Sequence, residues 1–109
     1  MGNLASVGAF RPHNLVHIIL DNEVNDSTGG QATVSSNTAL TVVAMACGYY
    51  SGYSTDSVEK LEKILAEKLV EKGPSLIHFR IKKGSPKDLG RPKIKPYEIK
   101  ERLMKVLSQ

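Results

Sequence analysis

The chain has 109 residues, 40% of them hydrophobic, and a formal net charge of +4, which predicts one globular domain or a piece of one. The mild positive charge indicates a solvated surface with some attraction for anionic substrates, and the lack of tryptophan and of basic runs interleaved with aromatics argues against nucleic-acid binding. A single cysteine excludes an internal disulfide and a multi-cysteine zinc site, and without a membrane span or signal-peptide pattern the chain is predicted to be cytoplasmic.

The first third of the chain predicts a helix, a buried strand and a polar loop. Residues 2–10 have the composition of a short helix that ends before Pro12, because proline disfavours helix at the preceding residue. Leu15–Leu20 is a short apolar run rich in β-branched residues, which is typical of a strand covered on both faces. Asp21–Val34 is polar and contains adjacent glycines, so we predict a loop there.

The middle of the chain continues this alternation of helix and strand. Ser35-Ser36-Asn37 offers capping groups for a helix over Thr38–Cys47, and Gly48 is a natural residue just past its end. A short aromatic strand is predicted over Tyr49–Tyr53. The Asp56-x-x-Glu59 spacing is that of a capping box and predicts the start of an amphipathic helix. The apolar stripe of that helix consists of Val58, Leu61, Leu65 and Leu69.

The last third predicts a strand, an arm and a terminal helix. Gly73-Pro74 breaks the preceding helix, and Ser75–Lys82 is predicted to be a strand. Gly84–Lys95 contains two prolines and is expected to run as an extended arm over the surface. Pro96 suits the first position of a final helix. The docking face of that helix is predicted to consist of Ile99, Leu103, Val106 and Leu107. The order of elements predicts an α/β three-layer sandwich, with helices on both faces of a mainly parallel sheet.

The end of the first predicted strand carries the most informative residues. Asp21 and Asn22 end the apolar run, and ligands of α/β proteins collect just past the carboxyl ends of strands. The Asn22 amide oxygen is a hard ligand of the kind Mg²⁺ prefers, and Thr28-Gly29-Gly30 lets backbone approach a phosphate because glycine has no Cβ. The same pattern also describes an ordinary polar turn, which these residues taken alone favour.

The loop as a whole resembles the metal-binding loop of thiamine-diphosphate-dependent decarboxylases of 3-substituted pyruvates, the family of the phosphonopyruvate and sulfopyruvate decarboxylases. The matching residues are Asp21-Asn22-x-x-x-Asp26-Ser27-Thr28-Gly29-Gly30-Gln31-x-Thr33. The resemblance covers essentially the whole chain, because further stretches are similar to the C-terminal region of the family. These stretches are Ala46-Cys47-Gly48-Tyr49, Gly73-Pro74-Ser75-Leu76-Ile77-His78, Gly90-Arg91-Pro92 and Pro96-x-Glu98-x-Lys100-x-Arg102.

The resemblance implies that this chain helps to bind thiamine diphosphate and Mg²⁺, and that the reaction is decarboxylation of phosphonopyruvate to phosphonoacetaldehyde and CO2. The Asn22 side chain and the Val24 backbone carbonyl would ligate the metal, and Asp21 takes the place of a more common asparagine. Asp26 is expected to form a turn through its own backbone contacts. Glu23 stands where relatives usually have a small residue and is expected to point to water. The cofactor would also be lined by Ser27, Thr28 and Gly29, and no residue is assigned a catalytic role.

Two parts that the family requires are missing from this sequence. The Gly-Asp-Gly motif that opens the cofactor site would lie upstream of Met1, and the glutamate that activates the cofactor belongs to another domain. Residues 1–109 are therefore expected to be a partial C-terminal thiamine diphosphate-binding domain, truncated at its N-terminus and inactive by itself. A pyrimidine-binding domain would be its partner in a homo-oligomer, and the missing strand should expose apolar surface around Val16 and Ile18. The alternative is a stand-alone non-catalytic α/β module that binds a phosphate-bearing ligand or a partner protein.

Other polar and reactive residues are expected to have structural roles. His13, His17 and His78 lack metal-ligand spacing and an obvious carboxylate partner. We predict that His17 and His78 are hydrogen-bonded core residues and that His13 is exposed. Cys47 is predicted to be an inert buried thiol, and Arg91 to have a structural role in the arm. Packing roles are expected for Tyr49, Tyr50 and Tyr53, with contact to a partner chain as the alternative for one of them.

Overall fold

The computed structural model describes residues 2–84, 86, 88, 90 and 92–108. The helices are α1 (Gly2–Phe10), α2 (Leu40–Cys47), α3 (Val58–Lys68) and α4 (Pro96–Leu107). The strands are β1 (Val16–Asp21), β2 (Val24–Asn25), β3 (Gln31–Ala32), β4 (Ser51–Thr55) and β5 (Ser75–Arg80).

The main sheet is parallel and has the order β1-β5-β4. Ile77 is the register partner of both Ile18 and Tyr53, so β5 lies in the middle. This arrangement confirms the predicted parallel sheet. The strand β1 forms an edge, where Ile18 and Leu20 are 40% and 64% exposed. The apolar surface predicted around Ile18 is therefore present, whereas Val16 is half-buried. The prediction that this strand is covered on both faces is wrong, because Ile18 and Leu20 share one face and that face is open at the edge. The short strands β2 and β3 form a separate antiparallel pair inside the predicted loop.

Helices cover both faces of the sheet, which confirms the predicted three-layer arrangement. Gly52 and Tyr53 are consecutive in β4 and therefore face opposite sides. A Cβ at Gly52 would lie 3.1 Å from Thr41 of α2, whereas the Lys68 ammonium of α3 lies 5.2 Å from the centre of the Tyr53 ring. The apolar core on the α2 side also includes α1. It consists of Leu4, Ala44, Tyr49 and Leu76.

The close approach of α1 to α2 depends on one glycine. A Cβ at Gly8 would lie 1.8 Å from the Cys47 carbonyl oxygen, which is far inside van der Waals contact. Cys47 is only partly buried, so the prediction of a fully buried thiol is wrong. The physical reason is that Gly8 brings backbone, and no side chain, against the end of α2.

The boundaries around α2 differ from the predicted ones. The helix starts at Leu40 and no side chain caps it, because Ser35–Asn37 forms a separate 3₁₀ turn. Gly48 ends the helix in the left-handed conformation, with φ of 106°, as predicted. The strand β4 starts at Ser51, and the predicted start at Tyr49 is wrong because the Tyr49 N–H donates to the Ala44 carbonyl and still closes the helix.

The predicted capping box of α3 is also wrong. Ser57 is the N-cap, and its Oγ accepts a hydrogen bond from the Lys60 N–H at 3.3 Å. Thr55 is still the last residue of β4, so the chain enters the helix only after Asp56. The strand β5 likewise ends at Arg80, two residues before the predicted end.

The terminal helix does not dock on the sheet in the part of the chain that the structure describes. Pro96 is its first residue, as predicted. The predicted docking face is 52% to 71% exposed, so the prediction that it packs on the fold is wrong; its residues are Ile99, Leu103, Val106 and Leu107. The predicted role of Arg91 lies outside the described residues, as do parts of the predicted arm. Among the described residues, no helix has both the length and the apolarity needed to cross a bilayer.

Candidate functional site

The predicted metal-binding loop starts at the carboxyl edge of the sheet, where β1 ends, and turns back at once. The Asp21 carboxylate accepts a hydrogen bond from the Glu23 N–H at 2.9 Å. The next side chain does the same, because the Asn22 amide oxygen accepts from the Val24 N–H at 3.3 Å. Glu23 has a φ of 59°, in the left-handed region that costs a residue with a side chain about 1–2 kcal/mol. Two side-chain-to-backbone bonds therefore hold a strained bend directly after the strand.

The geometry of this bend fits the predicted pair of metal ligands. The Thr33 N–H donates to the Glu23 carbonyl at 2.9 Å, so Glu23 and Thr33 form a hydrogen-bonded pair of the hairpin. Val24 and Ala32 form the next pair. Hydrogen-bonded and non-hydrogen-bonded pairs alternate in antiparallel strands, so the Val24 N–H and carbonyl both point away from β3. The Val24 N–H reaches Asn22, and the Val24 carbonyl therefore lies on the Asn22 side of the hairpin. The Asn22 amide oxygen and the Val24 carbonyl oxygen thus lie on the same side of the hairpin, and both are hard oxygen atoms of the kind that Mg²⁺ binds.

Asp26 holds the Asn22 side chain in place. The Asn22 amide nitrogen donates to the Asp26 carboxylate at 2.9 Å, which leaves the amide oxygen on the Val24 side. The predicted turn is confirmed, because the Gly29 N–H donates to the Asp26 carbonyl at 3.4 Å. The contact of the Asp26 side chain with Asn22 is an additional role that the prediction did not include. The four-residue spacing from Asn22 was visible in the sequence, but that spacing has a defined meaning only on a helix.

The glycine-bearing tip of the loop is exposed and closed by its own hydrogen bonds. The Thr28 hydroxyl donates to the Gln31 side chain at 2.9 Å, and the Gln31 amide nitrogen donates back to the Thr28 carbonyl at 2.6 Å. Gly29 and Gly30 have φ of 107° and 79°, which glycine adopts without strain. Ser27 is exposed at this tip.

Behind the loop, the Asp21 carboxylate lies in a nearly buried cluster. The His78 Nε2 donates to one of its oxygens at 2.8 Å, and the Ser35 hydroxyl donates to the other at 2.9 Å. Burial alone would raise the pKa of the Asp21 carboxyl, but the hydrogen bonds from His78, the Glu23 N–H and Ser35 outweigh it and lower the pKa. The carboxylate is therefore ionised at neutral pH.

The prediction for the histidines is confirmed in one respect and wrong in another. His78 and His17 are hydrogen-bonded inside the fold, and the His17 Nδ1 lies 2.8 Å from the Tyr49 hydroxyl. However, His78 does have a carboxylate partner, Asp21, which is 57 residues away in the chain. No local sequence signal could reveal that pair, because it depends on β1 lying beside β5.

A polar cavity of about 270 Å³ opens at the same edge of the sheet. Glu23, His78 and Arg80 line it, together with the hydroxyl-bearing residues Ser35, Ser36, Thr38, Thr41 and Ser54. It lies beside the predicted cofactor residues without including them, because its lining contains Glu23 but not Asn22, Val24, Ser27, Thr28 or Gly29.

The parallel sheet and the helices on its faces define the chain as an α/β domain, and comparison with known proteins adds a more specific relationship. Phosphonopyruvate decarboxylases of Streptomyces viridochromogenes and Streptomyces hygroscopicus are 50% and 51% identical to it over 102 residues. Subunit beta of the sulfopyruvate decarboxylase of Methanococcus maripaludis is 34% identical over 111 residues. No protein-family model matches the chain.

The extent of these matches differs between the two kinds of relative. The matched region covers 94% of this chain but only 26% and 25% of the two phosphonopyruvate decarboxylases, so the chain spans about a quarter of their length. It covers 100% of this chain and 58% of the sulfopyruvate decarboxylase subunit. The chain is thus homologous to a segment of phosphonopyruvate decarboxylases, which confirms the resemblance inferred from the loop.

Proposed function

We propose that the chain is the C-terminal part of a cytoplasmic decarboxylase that depends on thiamine diphosphate and Mg²⁺ and converts phosphonopyruvate to phosphonoacetaldehyde and CO2. The observation that carries this proposal is the 50% identity to a phosphonopyruvate decarboxylase over 94% of the chain. The positions of Asn22 and Val24 support it, because their oxygens lie at the sheet edge where α/β proteins bind ligands.

Each residue of the loop has a defined part in this proposal. Asn22 and Val24 would supply two oxygen ligands to Mg²⁺, and Asp26 would keep the Asn22 oxygen turned toward the metal. Ser27, Thr28 and Gly29 would lie along the cofactor at the exposed tip. Thiamine diphosphate, when bound, supplies the electron sink for the pair of electrons that departing CO2 leaves behind.

The chain needs a partner to complete this site. Within the described ranges, no three His, Cys, Asp or Glu side chains are grouped to hold a metal. The remaining ligands and the pyrimidine-binding domain would come from another part of the enzyme, and we propose a homo-oligomer. The non-catalytic module remains the alternative for the chain alone, because it spans only a quarter of two relatives.

The test uses the enzyme expressed from its gene with any coding sequence that precedes Met1. We expect release of CO2 from phosphonopyruvate that requires both thiamine diphosphate and Mg²⁺ and is lost on chelation. Asn22→Ala should weaken Mg²⁺ binding about 10- to 100-fold, and Asp26→Ala by less, because Asp26 only orients a ligand. Asn25→Ala is the matched control, since the Asn25 side chain is exposed in the same loop.

The outcomes separate the two candidate functions. Equal Mg²⁺ affinity of the Asn22→Ala and Asn25→Ala variants, measured by calorimetry with cofactor present, would contradict the assigned ligands. The 109-residue chain by itself should bind neither substrate nor cofactor productively and should not release CO2. Turnover by the purified chain would contradict the proposal that it is only part of the enzyme.

A further inference from the structure

The Asp21 side chain joins three elements of the fold immediately before the proposed metal ligand Asn22. One carboxylate oxygen accepts from His78 in β5, and the other accepts from Ser35 in the 3₁₀ turn and from the Glu23 N–H. The Asp21 and His78 side chains are only 10% and 9% exposed. The cluster borders the polar cavity, which His78 and Ser35 also line. Because the Asp21 and His78 side chains are largely buried, loss of the hydrogen bond between them would leave a polar atom without a partner.

His78 is the most deeply buried residue of this cluster. It lies in the middle strand, where Ser75–Phe79 are all buried between the two helical layers. Its side chain points to the same face as Asp21, because Ile19 is its register partner and Asp21 is two residues further along β1. The imidazole thus connects the centre of the sheet to the start of the loop.

The bend after Asp21 depends on the hydrogen bonds that fix the Asp21 carboxylate. Glu23 is held in the left-handed region, which persists only where the surroundings fix it, and its N–H is bonded to the carboxylate that His78 holds. If the carboxylate rotates, Glu23 can relax to an ordinary conformation. Such relaxation would turn the Val24 backbone and separate its carbonyl from the Asn22 side chain.

We propose that His78 is a positioning residue for the metal loop, acting through Asp21 to keep the Asn22 amide oxygen and the Val24 carbonyl directed at one cation. This inference rests on the proposed function, since it concerns the ligands assigned there. It adds a role for a residue that lies 56 positions beyond Asn22 in the chain and belongs to another strand.

The test compares three histidine variants of the enzyme, expressed with any coding sequence that precedes Met1. His78→Phe keeps the ring shape and removes the N–H, whereas His78→Gln keeps a donor at about the position of Nε2. His17→Phe is the matched control, because His17 also lies in the sheet but bonds to Tyr49. We expect His78→Phe to weaken Mg²⁺ binding about 10-fold or more. His78→Gln and His17→Phe should remain within about 3-fold of the parent, below the 10- to 100-fold loss typical of an orienting partner.

Two further measurements make the result decisive. In an Asp21→Asn background the effect of His78→Phe on Mg²⁺ affinity should largely disappear, because the two residues act in one chain of contacts. Amide hydrogen exchange at Glu23 and Val24 should accelerate about 10-fold or more in His78→Phe and not in His17→Phe, because the loop then opens at the cost of fewer hydrogen bonds. This exchange is measured on the protein without metal or cofactor.

The inference is overturned if His78→Phe and His17→Phe change Mg²⁺ affinity and exchange alike, or if His78→Gln restores neither. A parent enzyme that binds no Mg²⁺ with the cofactor contradicts the proposed function instead. In that case the amide exchange still shows whether His78 holds the loop. If His78→Phe does not fold, Asp21→Asn by itself takes its place, because it removes the carboxylate that His78 and the Glu23 N–H share. Parent-like Mg²⁺ affinity and amide exchange in Asp21→Asn would then overturn the inference.

Discussion

The close contact between α1 and α2 predicts that Gly8→Ala destabilises the chain. The new Cβ would lie 1.8 Å from the Cys47 carbonyl oxygen and 2.5 Å from the carbonyl carbon, both of which are backbone atoms. Because neither can rotate away, the helices must separate by more than an ångström. That separation also loosens the contacts of Leu4 and Ala44 in the core.

The magnitude follows from two opposing effects. Overpacking of a well-packed site costs about 1–3 kcal/mol, and a clash with backbone belongs at the upper end of that range. Alanine in a helix interior returns about 1 kcal/mol relative to glycine. We therefore expect the free energy of unfolding to fall by about 2 kcal/mol, which for a domain of this size lowers Tm by roughly 8–16 °C.

Urea unfolding followed by circular dichroism measures this change, and Gly2→Ala is the matched control. Gly2 is in the same helix, and a Cβ there would meet nothing within 4 Å, so that variant should be unchanged or slightly more stable. If Gly8→Ala is as stable as Gly2→Ala, the backbone contact between the two helices is not present in solution.

Two further predictions concern charge and exposed apolar surface. The pKa of Asp21 is lowered from its ordinary value of 3.8, so its stabilising effect is complete above about pH 4 and is lost as the pH falls through the lowered pKa. Urea unfolding between pH 6 and pH 3 should therefore show a smaller loss of stability for Asp21→Asn than for the parent, and parallel curves would refute this. The exposed apolar face of α4, which includes Ile99 and Leu103, should promote association between copies of the chain. Leu103→Glu should shift sedimentation toward the monomer, and a parent chain that is already monomeric would contradict the expectation.

Several features of the fold followed from the sequence because they depend on nearby residues. The apolar run at Leu15–Leu20, the glycine that ends α2 and the proline that begins α4 all act within one turn or one strand. The alternation of helix and strand then predicted the parallel sheet, which the structure confirms. The family resemblance of the loop was also a property of consecutive residues, and the homology to phosphonopyruvate decarboxylases confirms it.

Other features required the tertiary structure, because they join residues that are far apart or compete for the same partner. The strand order brings His78 to Asp21, and no local pattern contains that information. The strand β4 starts at Ser51 and not at the predicted Tyr49, because the Tyr49 N–H donates a hydrogen bond to α2. The amphipathic pattern of α4 indicated an apolar face, and the structure leaves this face exposed. The pattern alone could not show this, because the burial of a helix face depends on how the other elements pack. Interactions between neighbouring residues thus determined which segments form helices and strands. Only the packing of the whole chain decided which distant side chains contact the loop.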